Sequence, residues 1–344
     1  MELLDTTEAL ESCVGTRPSG SHLKSISFLD EHCLTLLAAS PFGVVGVADD
    51  AGSLRTFGVG GGPGVFAATG PTRLVLPAHD DLADADGAPI GVLAFVPGYR
   101  ETLRVNGRLR TGQNAELEVE ETFLHCAKAL IRSKLWAEPA PDLPDTVPDG
   151  PIGLDDPATR AFFEACPLVV LSSVDADGFA DVSPKGDPPG MVAQVIDDHT
   201  VAIADRPGNR RTDTMHNLVT HDAIGLLAVI PGHDQVIELR GRAGVTSDDG
   251  VRERLAVGGK VPHAAIVLSV DRVEARTERG ITDAGLWDRS RHIDPADLPR
   301  PTQVWTDHVK RNDDPGIGAK IARRVVREKM LDRGIAKDYR DNLY

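Results

Sequence analysis

The apolar positions of this chain recur mostly with the period of two that marks β-strands. Residues 169–184, VVLSSVDADGFADVSP, read as a β-branched strand, an Asp-Gly turn and a second strand. HTVAIADR (199–206), AIGLLAVIP (223–231) and QVIELRGRAGVT (235–246) read as three more, and HAAIVLSVDRVEARTE (263–278) as a long final one. Helical spacing is confined to short stretches. DPATRAFFEAC (156–166) and TDTMHNLVTH (212–221) predict two helices, the second capped by Thr212 with Met215, Leu218 and Val219 on one face. ETFLHCAKALIRSKLW (121–136) predicts another, with Phe123, Ala127, Leu130 and Ile131 as its buried stripe. After Pro315 and Gly316 a basic helix with an apolar seam of Ile321, Val325 and Met330 is expected to dock on the acidic body of the same protein or of a partner subunit.

The pattern occurs twice. LLAASPFGVVGVADDAG (36–52) corresponds to FFEACPLVVLSSVDADG (162–178), and GGGPGVF (60–66) to GDPPGMV (186–192). GVLAFVPG (91–98) corresponds to GLLAVIPG (225–232), NGRL (106–109) to RGRA (240–243), and SKLW ending at Trp136 to AGLW ending at Trp287. Matches in one order, separated only by insertions, indicate a duplicated domain, and two copies are too few for a solenoid. The expected fold is mainly β with short helices, as two tandem small β-barrels forming a pseudo-dimer. The expected divisions are an N-terminal arm (1–29), a first copy (30–136), a Pro-rich linker (137–154), a second copy (155–290) and a C-terminal extension (291–344).

Charge narrows the partners. Against 37 Lys and Arg stand 52 Asp and Glu, a net −15, which disfavours a nucleic-acid backbone; aromatics at 4% disfavour a base-stacking platform. Cys13, Cys33, Cys126 and Cys166 form no CxxC pair, so neither a disulfide framework nor a structural metal site is expected. The acidic start MELLDTTEAL and the lack of a long apolar run predict a soluble cytoplasmic protein without a membrane partner. Residues 310–344 carry ten basic and six acidic residues, which suits docking on an acidic body.

The densest polar constellation lies in the second copy. DVSPKGDPPG ends a strand with Asp181, Ser183, Lys185 and Asp187, and ADRPGNRRTDTMHN follows with Asp205, Arg206, Asn209, Arg210, Arg211, Asp213 and Asn217. Arg210 and Arg211 immediately precede the helix expected from Thr212. With Lys185 they can converge on a dianion, aided by the helix N-terminus. Alternatively the arginines pair with Asp181, Asp187, Asp205 and Asp213 as structural salt bridges.

SPKGDPPG, then ADRPGNRRTDTMHNL, then GLLAVIPG with ELRGRA resemble the pyridoxamine 5′-phosphate oxidase-like family, whose fold is the FMN-binding split barrel. The resemblance covers residues 155–290, and a degenerate version covers about 30–136. It implies an FMN cofactor with its phosphate at Lys185, Arg210 and Arg211. It further implies Ser183, Asp205 and Arg206 along the ribityl chain or flavin edge, and Asn217 at the loop or flavin edge. Arg240 and Arg242 alternate to one face of a later strand, where either can approach the flavin or form a structural salt bridge.

The first copy departs from this pattern. GVGGGPGV replaces SPKGDPPG, and LPAHDDLADADGAP brings Asp80, Asp81, Asp84 and Asp86 in place of the arginine pair. Such a run repels phosphate and reads as a solvated loop. The first copy is instead expected to wall a shared pocket through His125, Lys128, Arg132 and Trp136. The function implied is an FMN-dependent oxidoreductase acting on a small molecule through flavin N5, with NADH or NADPH as candidate reductant and no catalytic side chain singled out. The alternative is a non-enzymatic flavin- or haem-binding protein, with His125, His216 or His263 as the axial ligand. Homodimerisation is left open.

Overall fold

The computed structural model describes residues 2–18, 20–49, 51–140, 142, 144–208 and 211–344. The first sheet comprises β1 (Ser25–Ile26), β2 (Phe42–Ala48), β3 (Leu54–Gly60), β4 (Ala67–Gly70), β5 (Arg73–Val75), β6 (Pro89–Phe95), β7 (Thr102–Arg110) and β8 (Glu116–Leu124). The second comprises β9 (Gly150–Pro151), β10 (Leu168–Val174), β11 (Ala180–Gly186), β12 (Ala193–Asp197), β13 (Thr200–Ala204), β14 (Ala223–Val229), β15 (Gln235–Thr246) and β16 (Ala265–Thr277). The helices are α1 (Thr7–Val14), α2 (Glu31–Ala39), α3 (Lys128–Ser133), α4 (Pro157–Ala165) and α5 (Asp213–Thr220), then α6 (Asp249–Arg254), α7 (Arg279–Ala284), α8 (Pro301–Arg311), α9 (Ile317–Val325) and α10 (Glu328–Asp341).

The two antiparallel sheets follow one plan. Their orders, β3-β2-β6-β7-β8-β5-β4 and β11-β10-β14-β15-β16-β13-β12, correspond strand for strand, with β1 added to β8 and β9 to β16. Even the irregularities match: the ladder shifts between Asn106 and Gly107 in β7, and between Arg240 and Gly241 in β15. Neither path closes, because no pairing among the described residues joins β3 to β4 or β11 to β12. Among the described residues the expected pair of similar β domains with short helices is present as two open sheets, without a closed barrel.

The apolar stretches of β2 and of Leu168–Leu171 in β10 follow from burial on both faces. Val45 and Val47 enter the core of the first sheet, while Phe42 and Val44 enter a third core between the copies. In β10, Val169 and Leu171 enter the core of the second sheet, while Leu168 and Val170 join the shared core. The short helices are exchanged: α3 of the first copy packs on β11, and α7 of the second packs on β3. Both crossings need a glycine, since a Cβ at Gly186 would lie 2.0 Å from the Ala129 carbonyl oxygen, and one at Gly60 would lie 2.1 Å from that of Gly280. Trp136 and Trp287 meet with ring centroids 6.3 Å apart. Their indole N–H groups donate to the carbonyls of Tyr99 and His233 respectively.

Three sequence expectations change. Residues 121–124, expected to open a helix, instead end the strand β8, in which Leu117 and Val119 point inward between the more exposed Glu116, Glu118 and Glu120. The helix is reduced to α3. Thr212 does not cap α5 through its side chain; it is left-handed, φ +52°, and its hydroxyl donates to the Arg211 carbonyl. The seam Ile321, Val325 and Met330 is exposed, and α9 packs instead through Ala319 and Ala322, with Val326 just beyond it, near Leu23 and Val309. The segments outside the copies are integrated: Leu10 of α1 lies in the second core, and Val304 and Trp305 of α8 lie in the first. No described helix is long and apolar enough to cross a membrane.

Candidate functional site

The crossing of α3 over β11 borders a cavity of about 780 Å³, within the range of small-ligand sites. The end of β11 supplies Ser183 and Lys185, and the segment after β13 supplies Asp205 and Arg206. Arg211 and Thr214 line it at the start of α5. The first copy faces them with His125, Lys128 and Arg132. Residues from both copies thus meet around one space, although His125 precedes α3 and does not share a helical face with Lys128 and Arg132. Arg210 lies outside the described residues. At the equivalent crossing of α7 over β3, the Glu278 carboxylate accepts from Gly58 N at 2.9 Å and from Arg276 Nε at 3.3 Å.

Alternation along β11 turns Asp181, Ser183 and Lys185 to one side. Asp181 is buried and receives Arg104 Nη1, the Thr214 hydroxyl at 2.7 Å and the Ser183 hydroxyl at 3.0 Å. Arg104, from β7 of the first copy, is almost fully buried; its Nη2 donates to Glu121 at 3.0 Å and to Asp213 at 2.9 Å. Arg211 pairs with the same two carboxylates, at 2.6 Å to Glu121 and 2.7 Å to Asp213, and lies 4.4 Å from the Phe123 ring centroid. Burial lifts the pKa of Asp181. At Asp213, Arg211 and Arg104 outweigh burial and hold the carboxyl well below the usual carboxylate range. With Arg17 3.4 Å from Asp213, three cations and three carboxylates therefore form one network across the copies.

Lys185 differs from its neighbours. Among the described residues its ammonium makes no hydrogen bond or ion pair, although it lines the cavity and its charge opposes the burial-driven rise of the Asp205 pKa. Arg206 is anchored by Asp187 at 2.7 Å and by the Leu255 carbonyl at 2.7 Å. Burial, then Arg104 and Arg211, push His125 well below the usual imidazole range, so its ring is neutral at physiological pH. No side chain caps α5, so its first-turn N–H groups lack that acceptor.

Several expected site residues stand elsewhere. Asn217 is buried and donates to the Ser173 hydroxyl at 3.0 Å. Arg240 pairs with Glu238 at 2.9 Å, and the exposed Arg242 with Asp222 at 2.6 Å. Trp136 is committed to the tryptophan pair between the copies. None of these four lines the cavity. His216 is also absent from its lining, whereas His263 contributes to it. The acidic loop of the first copy is not wholly solvated, since Asp81 pairs with Arg55 at 2.6 Å. Sequence reasoning missed Arg104, Glu121 and the end of the chain, where Asp338, Asn342 and Tyr344 line the cavity. Only fold contacts bring them there.

A cavity between paired antiparallel sheets, with basic groups at a strand end and beside a helix start, defines a candidate anionic-ligand site. Residues 155–277 match the family profile described as pyridoxamine 5′-phosphate oxidase, which links the second sheet to that family. No curated protein matches the chain. Among solved structures, HupZ of Group A Streptococcus is 17% identical, covering 34% of this chain and 90% of its own, with a TM-score of 0.30. HutZ, the heme storage protein from Vibrio cholerae, is 11% identical over 36% of this chain and 94% of its own, with a TM-score of 0.28. A structure named F420 reductase is 13% identical over 34% and 95%, with a TM-score of 0.26. None of the three bears on activity.

Proposed function

We propose that the protein is an FMN-dependent oxidoreductase with one phosphate seat, in the second copy. The observation that carries this reading is Lys185, an ammonium without a protein partner among the described residues, lining a cavity in the family-matched segment. The uncapped start of α5 adds donors suited to a phosphate dianion, and the volume suits a mononucleotide. FMN bound there supplies hydride acceptance and donation at flavin N5.

The chain's residues then have separable tasks. Lys185 binds the phosphate. Arg211 orients it, its charge being already shared with Asp213 and Glu121. Ser183 is held by Asp181, and Arg206 by Asp187, so the wall along the ligand is fixed before binding. The neutral His125 offers a hydrogen-bonding edge without adding charge. A small molecule is the substrate in this reading, with NADH or NADPH as the reductant.

Titration with FMN and riboflavin tests the phosphate seat. Lys185→Ala should weaken FMN binding about 10- to 100-fold, the worth of a charge-assisted contact, and leave riboflavin binding unchanged. Equal losses for both ligands would overturn the assignment. A non-catalytic haem-binding reading rests on one observation: two imidazoles, His125 and His263, line the cavity, and His125 is held neutral as an axial ligand requires. A Soret band on haem addition that disappears in His125→Ala would favour it over flavin.

A further inference from the structure

Residues 338–344 reach the cavity from a part of the chain outside both repeats. Asp338 Oδ2 lies 2.8 Å from Lys128 Nζ, which also donates to the Asn342 carbonyl at 2.9 Å. Arg132 Nε donates to the Leu343 carbonyl at 2.5 Å, and Lys260 Nζ to the Tyr344 carbonyl oxygen at 2.9 Å. The Tyr344 ring has Arg132 at 5.6 Å and Arg206 at 5.9 Å from its centroid. Upstream, the Tyr339 hydroxyl accepts from Ala127 N at 2.8 Å.

Four cations from three separate segments converge on this one short stretch. Lys128 and Arg132 belong to α3 of the first copy, Arg206 follows β13, and Lys260 precedes β16. The stretch supplies a carboxylate, three carbonyls and a π face, all matched to positive charge. The cavity retains about 780 Å³ with the stretch seated, so the seat leaves room for a ligand.

We propose that residues 338–344 are a strap that completes the cavity and slows ligand release, with Tyr344 as a positioning residue for Arg132 and Arg206. Seating the strap ties the first-copy and second-copy walls together. Lifting it opens the cavity on that side and leaves four cations without their common partner. The effect on FMN release rests on the proposed FMN reading; the seating of the strap does not.

The test has two arms on the full chain. In the first, hydrogen exchange of residues 338–344 is followed without ligand. Protection is expected in the parent protein and reduced protection in Tyr344→Ala and Asp338→Asn. Unprotected exchange in the parent would overturn the strap. In the second, FMN release is followed by recovery of flavin fluorescence after dilution. Tyr344→Ala should release FMN about tenfold faster, from the loss of two cation–π contacts, and Tyr344→Phe should behave as the parent. An unchanged rate in Tyr344→Ala, with FMN still bound, would overturn the role in release. Absence of FMN binding in the parent would defeat the cofactor reading, and the exchange arm then decides the strap alone.

Discussion

Replacing Glu101 by glutamine should stabilise the protein as the pH rises, which is unusual for the loss of a carboxylate. Glu101 immediately precedes β7 and is 8% exposed. Burial pushes its carboxyl from 4.5 up to about 7, against the opposing pull of its own backbone N–H and Arg100. A carboxyl with a raised folded-state pKa binds its proton more tightly in the native than in the unfolded chain. Stability is therefore highest below the unfolded value and declines as pH rises from about 4.5 to 7. At 1.36 kcal/mol per unit, the full difference is about 3 kcal/mol. Glutamine mimics the neutral form at every pH. Denaturant unfolding of both proteins should give nearly equal stabilities at pH 4 and a gap in favour of Glu101→Gln that widens to about 3 kcal/mol by pH 8. A gap independent of pH, or one favouring the parent at pH 8, would refute the reasoning.

Two further substitutions probe the junction of the copies. Arg104→Met leaves Asp181, Glu121 and Asp213 without their shared buried cation, and should cost about 3–5 kcal/mol in denaturant unfolding at pH 7. A loss below about 1 kcal/mol would show that the carboxylates find other compensation. Gly186→Ala places a methyl against the Ala129 carbonyl and should lower stability by about 2 kcal/mol or more, while weakening ligand binding at the cavity beside it. Unchanged binding in a folded Gly186→Ala protein would mean that α3 can retreat without disturbing the site.

Strands were legible where a β-branched run meets a turn signal, as in the hairpin of β10 and β11 around Asp177 and Gly178. The likeness of the two sheets was legible because both halves keep the same turn glycines and prolines in order. β8 was misread because Phe123, at a strand end, and Leu130 and Ile131, on α3, fall by coincidence at helical spacing. Its own alternation, Leu117 and Val119 among glutamates, carried the correct signal. The tail seam failed for a different reason: α9 uses its small residues for contact, Ala319 and Ala322, and leaves the larger Ile321 and Val325 outside. In the site, Ser183, Lys185, Asp205, Arg206 and Arg211 were readable because they lie within one copy, close along the chain. Arg104 and Glu121 answer to partners in the other copy, and Tyr344 to residues far along the chain. No local spacing encodes such contacts.

The exchange of α3 and α7 has a genetic consequence. If two separate identical chains exchanged such helices, every substitution would fall on both crossings at once, so neither could be altered alone. Joining the copies in one chain removes that constraint. Lys185 and the α5 segment can be kept at one crossing while the other is rewritten around Glu278. The first copy can thus differ at its own crossing and still furnish, through α3, part of the wall of the cavity beside β11.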